Sequence, residues 1–254
     1  MTSQPSRNAA LARRDLAHVW HPCTQMREHD AAQFPLIPIE RGEGAWLVDA
    51  DGRRYLDGIS SWWSNLFGHA NPRIAAAIAA QAAKLNHVML AGFTHEPALQ
   101  LAEELVRITP PGLTRVSYAS DGASAVEIAL KMSFHYWHNT GQPRRTRFIA
   151  LANAYHGETL GALSVSDLPL YRAVFGPLLF DPIVAPSPDW LDAEPGESPD
   201  DVARRRLADL RVLLERHARE VCAVIVEPLV QCSGGMRMHS PVYLAGLREL
   251  CDEF

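Results

Sequence analysis

Three short runs of the sequence carry residue types that could bind an anion or move a proton. In the first run, Ser120 and Asp121 are good helix N-caps, and Gly122 lets the backbone turn sharply. Several backbone N–H groups and the positive end of a helix dipole would then point at one spot, which favours a bound phosphate. The other two runs contain side chains suited to ring contacts, proton transfer or charge. They are Asn153-Ala154-Tyr155-His156-Gly157 and Ile225-Val226-Glu227-Pro228.

The turn at residues 120–124 has other interpretations. A close-packed junction of strand and helix would use the same small residues. A dinucleotide fingerprint needs three glycines and a P-loop needs Gly-Lys-Ser/Thr, and the turn has neither. The hydrolase pattern G-x-S-x-G is nearly matched, but Val126 replaces its last glycine. A serine hydrolase that uses Ser124, His156 and an acid therefore stays open as a less favoured hypothesis.

Apolar segments around these runs predict the elements that position them. We expect buried strands at 115–119, 147–151 and 221–228, with helices at 72–85, 96–108, 122–141, 201–218 and from 241 onward. Near-continuous apolar strands separated by helices indicate an α/β fold with a parallel sheet covered on both faces. Ligands bind such sheets beyond the carboxyl ends of the strands, where all three runs would meet.

The first 70 residues give a different pattern. Residues 1 to about 35 suggest an irregular leader, and Asp51-Gly52 between two short apolar runs predicts a β-hairpin. The pair Trp62-Trp63 would point to opposite faces of a strand. Either both rings lie in the core, or one lies there and the other lines a pocket.

Composition excludes several classes of protein. The 254 residues are 47% hydrophobic and 21% charged, and the formal net charge of −5 argues against a nucleic-acid partner. No apolar run reaches about 18 residues, so no membrane span is expected. The four cysteines lack metal-binding spacing, and Cys222 lies in an apolar strand, so we expect no metal site and a reduced, cytoplasmic compartment.

At these three runs the chain resembles the class III (ω-amino) aminotransferases, which are fold-type I enzymes that use pyridoxal 5′-phosphate. Residues 120–124 resemble their phosphate cup, residues 153–157 their ring-stacking loop, and residues 225–228 their buried acidic strand. Further motifs are similar to the branch of the class that makes 7,8-diaminononanoate for biotin synthesis. These motifs are Trp20-His21-Pro22, Ser60-Ser61-Trp62-Trp63, His87-Val88-Met89 and Gly234-Gly235-Met236-Arg237-Met238.

The resemblance implies roles for individual residues. Gly122 and Ala123 would hold the cofactor phosphate through backbone N–H groups, with Ser124 beside them. Tyr155 would stack on or edge the pyridine ring and contact substrate, and Glu227 would order the site. The residues implied at the substrate pocket are Trp62, Tyr155 and Cys23.

The resemblance also implies a homodimer with two small-molecule partners. S-adenosylmethionine would donate the amino group and 8-amino-7-oxononanoate would accept it. Residues 1–70 would form an N-terminal segment with part of a small domain, and residues 71–254 would form part of the large cofactor-binding domain. Another ω-aminotransferase, or a non-catalytic remnant of one, remains an alternative.

Some features depart from the pattern of the class. Ala123 stands where many members have serine, and Cys23 where some have tyrosine. The class uses a Schiff-base lysine, but the two lysines present, Lys84 and Lys131, fall in predicted helices instead of at strand ends. No catalytic residue is therefore identified. We expect a C-terminally truncated chain that has no transaminase activity on its own.

Overall fold

A computed structural model describes residues 6–30 and 34–254. The chain divides into two compact units, Met1–Thr109 and Pro110–Phe254, called here the N-terminal and C-terminal units. This division groups residues 71–109 with the N-terminal unit, whereas the sequence assigned them to the large domain. The N-terminal unit contains α1 (Arg7–His18), α2 (Met26–Asp30), β1 (Ile39–Glu43), β2 (Trp46–Asp49), β3 (Arg54–Leu56), α3 (Ser60–Trp63), α4 (Pro72–Lys84) and α5 (Glu96–Ile108).

The first 30 residues are more regular than expected. The prediction of an irregular leader is wrong for α1 and α2, while residues 1–5 and 31–33 lie outside the described residues. The Ser6 side chain caps α1 by accepting a hydrogen bond from the Ala9 N–H at 3.1 Å. The predicted hairpin is confirmed as β2 and β3, and β1 completes a three-stranded antiparallel sheet.

A buried carboxylate, Asp49, holds this sheet to α1. It accepts hydrogen bonds from the Asn8 amide at 2.7 Å and the Tyr55 hydroxyl at 2.9 Å. The N–H groups of Arg53 and Asp51 donate to it at 2.8 and 3.0 Å. Burial alone would raise the pKa of Asp49, but these donors outweigh it and hold the pKa below the ordinary value.

The Trp62-Trp63 pair does not lie on a strand. Residues 60–63 form one left-handed helical turn, α3, with φ between +48° and +67°. The Asp57 carboxylate supports the turn by accepting from the Ser61 N–H at 2.9 Å and the Ser61 hydroxyl at 2.8 Å. Trp62 is 68% exposed and Trp63 is 55% exposed, so the expectation that at least one ring is in the core is wrong for this chain.

The C-terminal unit contains a parallel sheet with helices on both faces, as the sequence predicted. Its strands are ordered β5-β4-β6, and β4 pairs in parallel with both neighbours. The unit contains α6 (Gly122–Asn139), β4 (Arg147–Leu151), α7 (Leu160–Ser164), α8 (Pro169–Arg172), β5 (Ile183–Ala185), α9 (Pro199–His217), β6 (Val221–Ile225), β7 (Val230–Gln231), β8 (Arg237–Met238) and α10 (Pro241–Glu253).

The predicted strand at 115–119 is wrong, because residues 113–119 have no regular secondary structure. A strand exists only as part of a ladder, and this segment belongs to none of the three sheets that the described residues form. The strand predicted at 221–228 ends at Ile225, so Glu227 lies two residues beyond it. The remaining predicted helices and the strand at 147–151 are confirmed to within about two residues.

Alternate side chains of β4 build two cores. Ile149 and Leu151 pack on one face with residues of α9 and α10, including Leu210 and Tyr243. Phe148 and Ala150 pack on the other face with Leu130 of α6, in a cluster that includes Cys222, which is buried as predicted. The Trp137 indole N–H donates to the Cys222 carbonyl at 2.7 Å and ties α6 to β6.

Within residues 6–30 and 34–254, no helix has the length and apolar character needed to cross a membrane. The same residues contain no group of three or more His, Cys, Asp or Glu side chains suited to hold a metal ion. Lys84 ends α4 and Lys131 lies within α6, so both lysines are in helices as expected.

Candidate functional site

The predicted phosphate turn is the N-terminus of α6, an 18-residue helix. Asp121 is its N-cap, and its carboxylate accepts from the Ser124 N–H at 2.8 Å and the Ser124 hydroxyl at 2.7 Å. The Ser120 hydroxyl donates to it at 3.0 Å. These hydrogen bonds, led by the Ser124 N–H, lower the pKa of Asp121 and keep the carboxylate charged.

The first residue of α6 faces open space. A Cβ built on Gly122 would meet no atom within 4 Å, and its φ is not in the left-handed region. Ser124, in contrast, uses both its N–H and its hydroxyl on Asp121. The first N–H groups of a helix have no partner within the helix, so the donors that remain for a ligand at this end are those of Gly122 and Ala123, of which Ala123 also interacts with Asp121.

The loop that follows β4 lies directly against this helix end. A Cβ built on Gly157 would come within 2.7 Å of the Ala123 Cβ, and Gly157 has φ +125°. Only glycine fits both the space and the backbone conformation. One turn further along α6, the Glu127 carboxylate accepts from the Gly161 N–H at 2.8 Å, which joins α6 to α7. The structure therefore brings the first two predicted runs together.

Glu227 joins the third run to the same loop. Its Oε1 accepts from the Tyr155 N–H at 2.9 Å, and its Oε2 accepts from the Cys232 N–H at 3.0 Å. Burial raises the pKa of Glu227, and these two N–H groups oppose that shift. Glu227 thus links the loops after β4 and β6 by hydrogen bonds.

The Tyr155 ring is half-buried and held at its edge. Its hydroxyl donates to Glu158 Oε1 at 3.0 Å, and the Tyr171 ring lies beside it at 5.4 Å between centroids, tilted by 53°. With its N–H on Glu227 and its hydroxyl on Glu158, the side chain is anchored at both ends. An anchored aromatic ring beside a helix N-terminus can pack against a planar ligand ring.

His156 is half-buried, and its ring is neutral near pH 7. Its N–H donates to the Ser166 hydroxyl at 2.9 Å, but its ring Nε2 has no hydrogen-bond partner among the described residues. Burial lowers its pKa to about 4. A hydrolase would need this ring bonded to the Ser124 hydroxyl, which donates to Asp121 instead. The geometry therefore does not support the serine hydrolase hypothesis.

The other two residues expected at the substrate pocket belong to the N-terminal unit. Trp62 is on the left-handed turn α3, and Cys23 is exposed with φ +52°. Cys23 also lies in a turn of the chain between α1 and α2. Their roles stay predictions.

Several residues that order the site were not singled out from the sequence. Asp167 accepts from the Asn153 N–H at 3.2 Å, Ser166 accepts from His156, and Tyr171 packs on Tyr155. Asn153 itself has φ +62°, a conformation that such capping by Asp167 stabilises. The run Ser164-Val165-Ser166-Asp167, with polar residues just after an apolar helix, was the available signal.

A family model described as aminotransferase class III matches residues 26–254 of the chain. The chain is 44% identical over 239 residues to adenosylmethionine-8-amino-7-oxononanoate aminotransferase from Geobacter sulfurreducens, with 94% of this chain and 52% of that protein covered. The chain therefore spans about half the length of the curated relatives it matches.

The solved structures that the chain resembles are also aminotransferases. The crystal structure of adenosylmethionine-8-amino-7-oxononanoate aminotransferase from Methanocaldococcus jannaschii superimposes with a TM-score of 0.86 at 41% identity, covering 96% of this chain and 52% of that one. The ω-transaminase from Pseudomonas jessenii in complex with PMP gives a TM-score of 0.86 at 27% identity, covering 96% and 54%. The fold is that of the transaminases.

Proposed function

We propose that this chain, which belongs to the class III aminotransferase family, holds pyridoxal 5′-phosphate between the N-terminus of α6 and the loop after β4. The observation that carries the proposal is the approach of Gly157 to Ala123, where a Cβ would come within 2.7 Å. That approach puts the loop of Tyr155 beside the helix end. A phosphate seat and an aromatic ring are the two contacts that a phosphorylated pyridine requires.

The residues present fit the group. Gly122 leaves open space at the helix end, and the N–H groups of Gly122 and Ala123 would be donors for a phosphate. The Asp121 carboxylate directs its oxygens to the donors of Ser120 and Ser124, so it would hold the turn in shape for the phosphate. Ser124 would act on the phosphate indirectly, by holding the Asp121 carboxylate, because both of its donors are used there.

The remaining residues would orient the pyridine ring and set the charge around it. Tyr155 would pack against the pyridine ring, while Glu227 and Glu158 fix its backbone and hydroxyl. The neutral His156 adds no positive charge to the loop, because burial keeps its pKa near 4. When bound, pyridoxal phosphate supplies an electron sink for the carbon that gains or loses the amino group.

For the whole protein we propose transfer of an amino group from S-adenosylmethionine to 8-amino-7-oxononanoate, giving 7,8-diaminononanoate for biotin synthesis. The similarity to the adenosylmethionine-8-amino-7-oxononanoate aminotransferases of G. sulfurreducens and M. jannaschii supports this assignment. Trp62 and Cys23 would line the substrate pocket, as the resemblance implies. The proposal includes a homodimer and a cytoplasmic enzyme.

A titration of the chain tests the cofactor site. Pyridoxamine 5′-phosphate is the suitable probe because, lacking the aldehyde, it cannot react with Lys84 or Lys131. We expect it to bind at least about tenfold more tightly than inorganic phosphate, since ring packing adds to the phosphate contacts. Calorimetry of both ligands gives the ratio. Equal affinities would contradict a ring site at Tyr155.

A glycine pair tests the phosphate seat. Gly122→Val fills the open space at the helix end and should weaken both pyridoxamine 5′-phosphate and inorganic phosphate by about tenfold. Gly176→Val is the matched control, because a Cβ at Gly176 also meets nothing within 4 Å. Unchanged affinity in Gly122→Val would remove the phosphate seat from this helix.

The transfer reaction is tested on protein isolated from its own organism. The purified protein is incubated with S-adenosylmethionine and 8-amino-7-oxononanoate, and 7,8-diaminononanoate is measured by mass spectrometry. Product formation supports the assignment. Transfer to other keto acids, without transfer to 8-amino-7-oxononanoate, would favour a different ω-aminotransferase.

A further inference from the structure

A buried polar network joins the loops that follow the three strands of the parallel sheet. The Ser187 hydroxyl, beyond β5, donates to Gln231 Oε1 at 2.6 Å. The Gln231 side-chain amide, on β7, donates to the Ala152 carbonyl beyond β4 at 2.8 Å. Ser187 also accepts from the Asp189 N–H at 3.2 Å, and all three side chains are almost fully buried. Buried networks of this kind hold their members in one arrangement.

Arg237 completes this network and belongs to a motif that the cofactor site does not use. Its Nη1 lies 2.5 Å from Asp189 Oδ2, and its Nε donates to the Gly234 carbonyl at 3.0 Å. The Asp189 side chain is fully buried, whereas Arg237 is about one-third exposed. The planar guanidinium makes both contacts at once, which a lysine ammonium at the same place cannot do.

The loop that Arg237 holds packs against the loop that carries Tyr155. A Cβ built on Gly234 would lie 2.4 Å from the Asn153 carbonyl oxygen, so the two backbones are in close contact. Glu227 supplies a second link, since it accepts from both Tyr155 and Cys232. Cys232 in turn accepts from the N–H groups of Gly235 and Met236, closing the turn that Arg237 holds.

We propose that Arg237 is a positioning residue for the cofactor ring. Through Asp189 and the Gly234 carbonyl it fixes the backbone of residues 153–155 and so sets the affinity for the pyridine ring without contacting it. This inference rests on the proposed function, in which Tyr155 packs against that ring. The phosphate seat at Gly122 and Ala123 lies on α6, whereas the side-chain partners of Arg237 among the described residues are Gly234 and Asp189.

The two ligands of the proposed site separate positioning from general stability. In Arg237→Lys, the affinity for pyridoxamine 5′-phosphate should fall by about tenfold, while the affinity for inorganic phosphate changes by less than about twofold. Arg205→Lys is the matched control. Its guanidinium also makes two contacts with a partly buried carboxylate, Glu197, at 2.7 and 2.8 Å, in the same unit. The control should change neither affinity, and an equal loss for both ligands in Arg237→Lys would overturn the proposal.

A double-mutant cycle with Tyr155→Ala tests the route. If Arg237 acts through the Tyr155 ring, Arg237→Lys should have almost no further effect on pyridoxamine 5′-phosphate affinity once that ring is removed. Additive losses would overturn the proposal. If wild-type chain binds pyridoxamine 5′-phosphate no better than phosphate, the proposed function fails and this inference fails with it. If wild type prefers pyridoxamine 5′-phosphate and Arg237→Lys keeps the preference, this inference alone fails.

A second variant keeps the proposal testable if Arg237→Lys does not fold. Gly234→Ala leaves Arg237 and Asp189 in place but pushes on the Asn153 carbonyl, and it should give the same selective loss. Amide hydrogen exchange supplies a readout that needs no ligand. In either variant, exchange should quicken in the peptide covering 152–158 and stay unchanged in β4. Uniformly faster exchange across the unit in both variants would assign Arg237 a purely structural role.

Discussion

The two units of the chain bury their apolar side chains to very different extents. In the C-terminal unit the sheet is enclosed by cores that include Leu210, Tyr243 and Leu130. In the described residues of the N-terminal unit, the only buried apolar residues are Val48 and Ala50. Helices α4 and α5 have no buried residue at all. Hydrophobic stabilisation is therefore concentrated in the unit that holds the candidate cofactor site.

A leucine pair tests this difference most strongly. Leu210→Ala, in α9, removes a fully buried side chain and should lower the free energy of unfolding by about 4 kcal/mol, because it leaves a cavity against the sheet. Leu101→Ala, in α5, truncates a side chain that is 51% exposed and should change it by less than about 0.5 kcal/mol. Urea unfolding followed by circular dichroism measures both. A similar loss in the two variants would contradict the contrast between the units.

The pH dependence of stability should also be concentrated in the C-terminal unit. The pKa of His156 falls from 6.5 to about 4 because the ring is buried. Protonation therefore favours the unfolded chain, and stability present above pH 6.5 is lost as the pH falls towards 4. The expected loss from this residue between pH 7 and pH 4 is roughly 3 kcal/mol.

Urea unfolding at several pH values checks this expectation. His156→Gln should flatten the pH dependence of the unfolding free energy between pH 6.5 and pH 4. His138→Gln, at an exposed histidine of α6, is the control for the substitution itself. If His156→Gln retains the full dependence, the ring is not the group that titrates.

The N-terminal unit should depend more on a polar contact than on an apolar one. Asp49→Asn replaces a carboxylate that accepts four hydrogen bonds, and its amide nitrogen would face donors. We expect a loss of about 2 kcal/mol. Hydrogen exchange should quicken in β2 and β3 and stay unchanged in β4. Asp51→Asn, an exposed neighbour, is the control, and an equal effect there would contradict a special role for Asp49.

The smallest effect concerns the left-handed turn α3. Ser60 has φ +49° and makes no side-chain hydrogen bond in the described residues, so Ser60→Gly relieves strain and should stabilise the N-terminal unit by about 0.5 kcal/mol. Ser64, with φ −95°, is right-handed and its hydroxyl donates to the Ser61 carbonyl at 2.9 Å, so Ser64→Gly loses both backbone restriction and this hydrogen bond and should destabilise by about 1 kcal/mol. Thermal unfolding of the two variants should shift in opposite directions, and a shift in the same direction would contradict the assigned handedness.

Local signals predicted helix starts well in both units. Asn71-Pro72, Glu96-Pro97 and Asp121-Gly122 each mark a helix start that the structure has, because caps and prolines act over a few residues. The parallel sheet followed from apolar runs of the right length. The strand predicted at 115–119 failed because pairing depends on a neighbour that the segment's own residues do not specify.

The sequence named residues of the candidate site but not the contacts between them. Gly122, Tyr155 and Glu227 were named from the sequence, and the structure joins their loops. The joining contacts, from Gly157 to Ala123 and from Arg237 to Asp189, link residues 34 or more positions apart. No spacing rule covers such pairs. Likewise, a hydrogen bond to Asp57 supports the left-handed backbone at Ser61, whereas the side-chain types of this segment alone favoured a strand.

The approach of Gly157 to Ala123 restricts how this sequence can vary over time. Position 157 has no room for a side chain, and any residue larger than alanine at position 123 would have to direct its added atoms away from the Gly157 Cα. Substitutions at the two positions are therefore not independent. The order in which the two positions mutate decides whether the intermediate variant can fold. Glycine at 123 would remove the closest contact of a side chain at 157, but a Cβ there would still lie 3.1 Å from the Cα of residue 123 and 3.2 Å from the Ala162 Cβ, and the φ of +125° limits the choice further. Saturation libraries at both positions should recover variants at 123 alone far more often than variants at 157 alone.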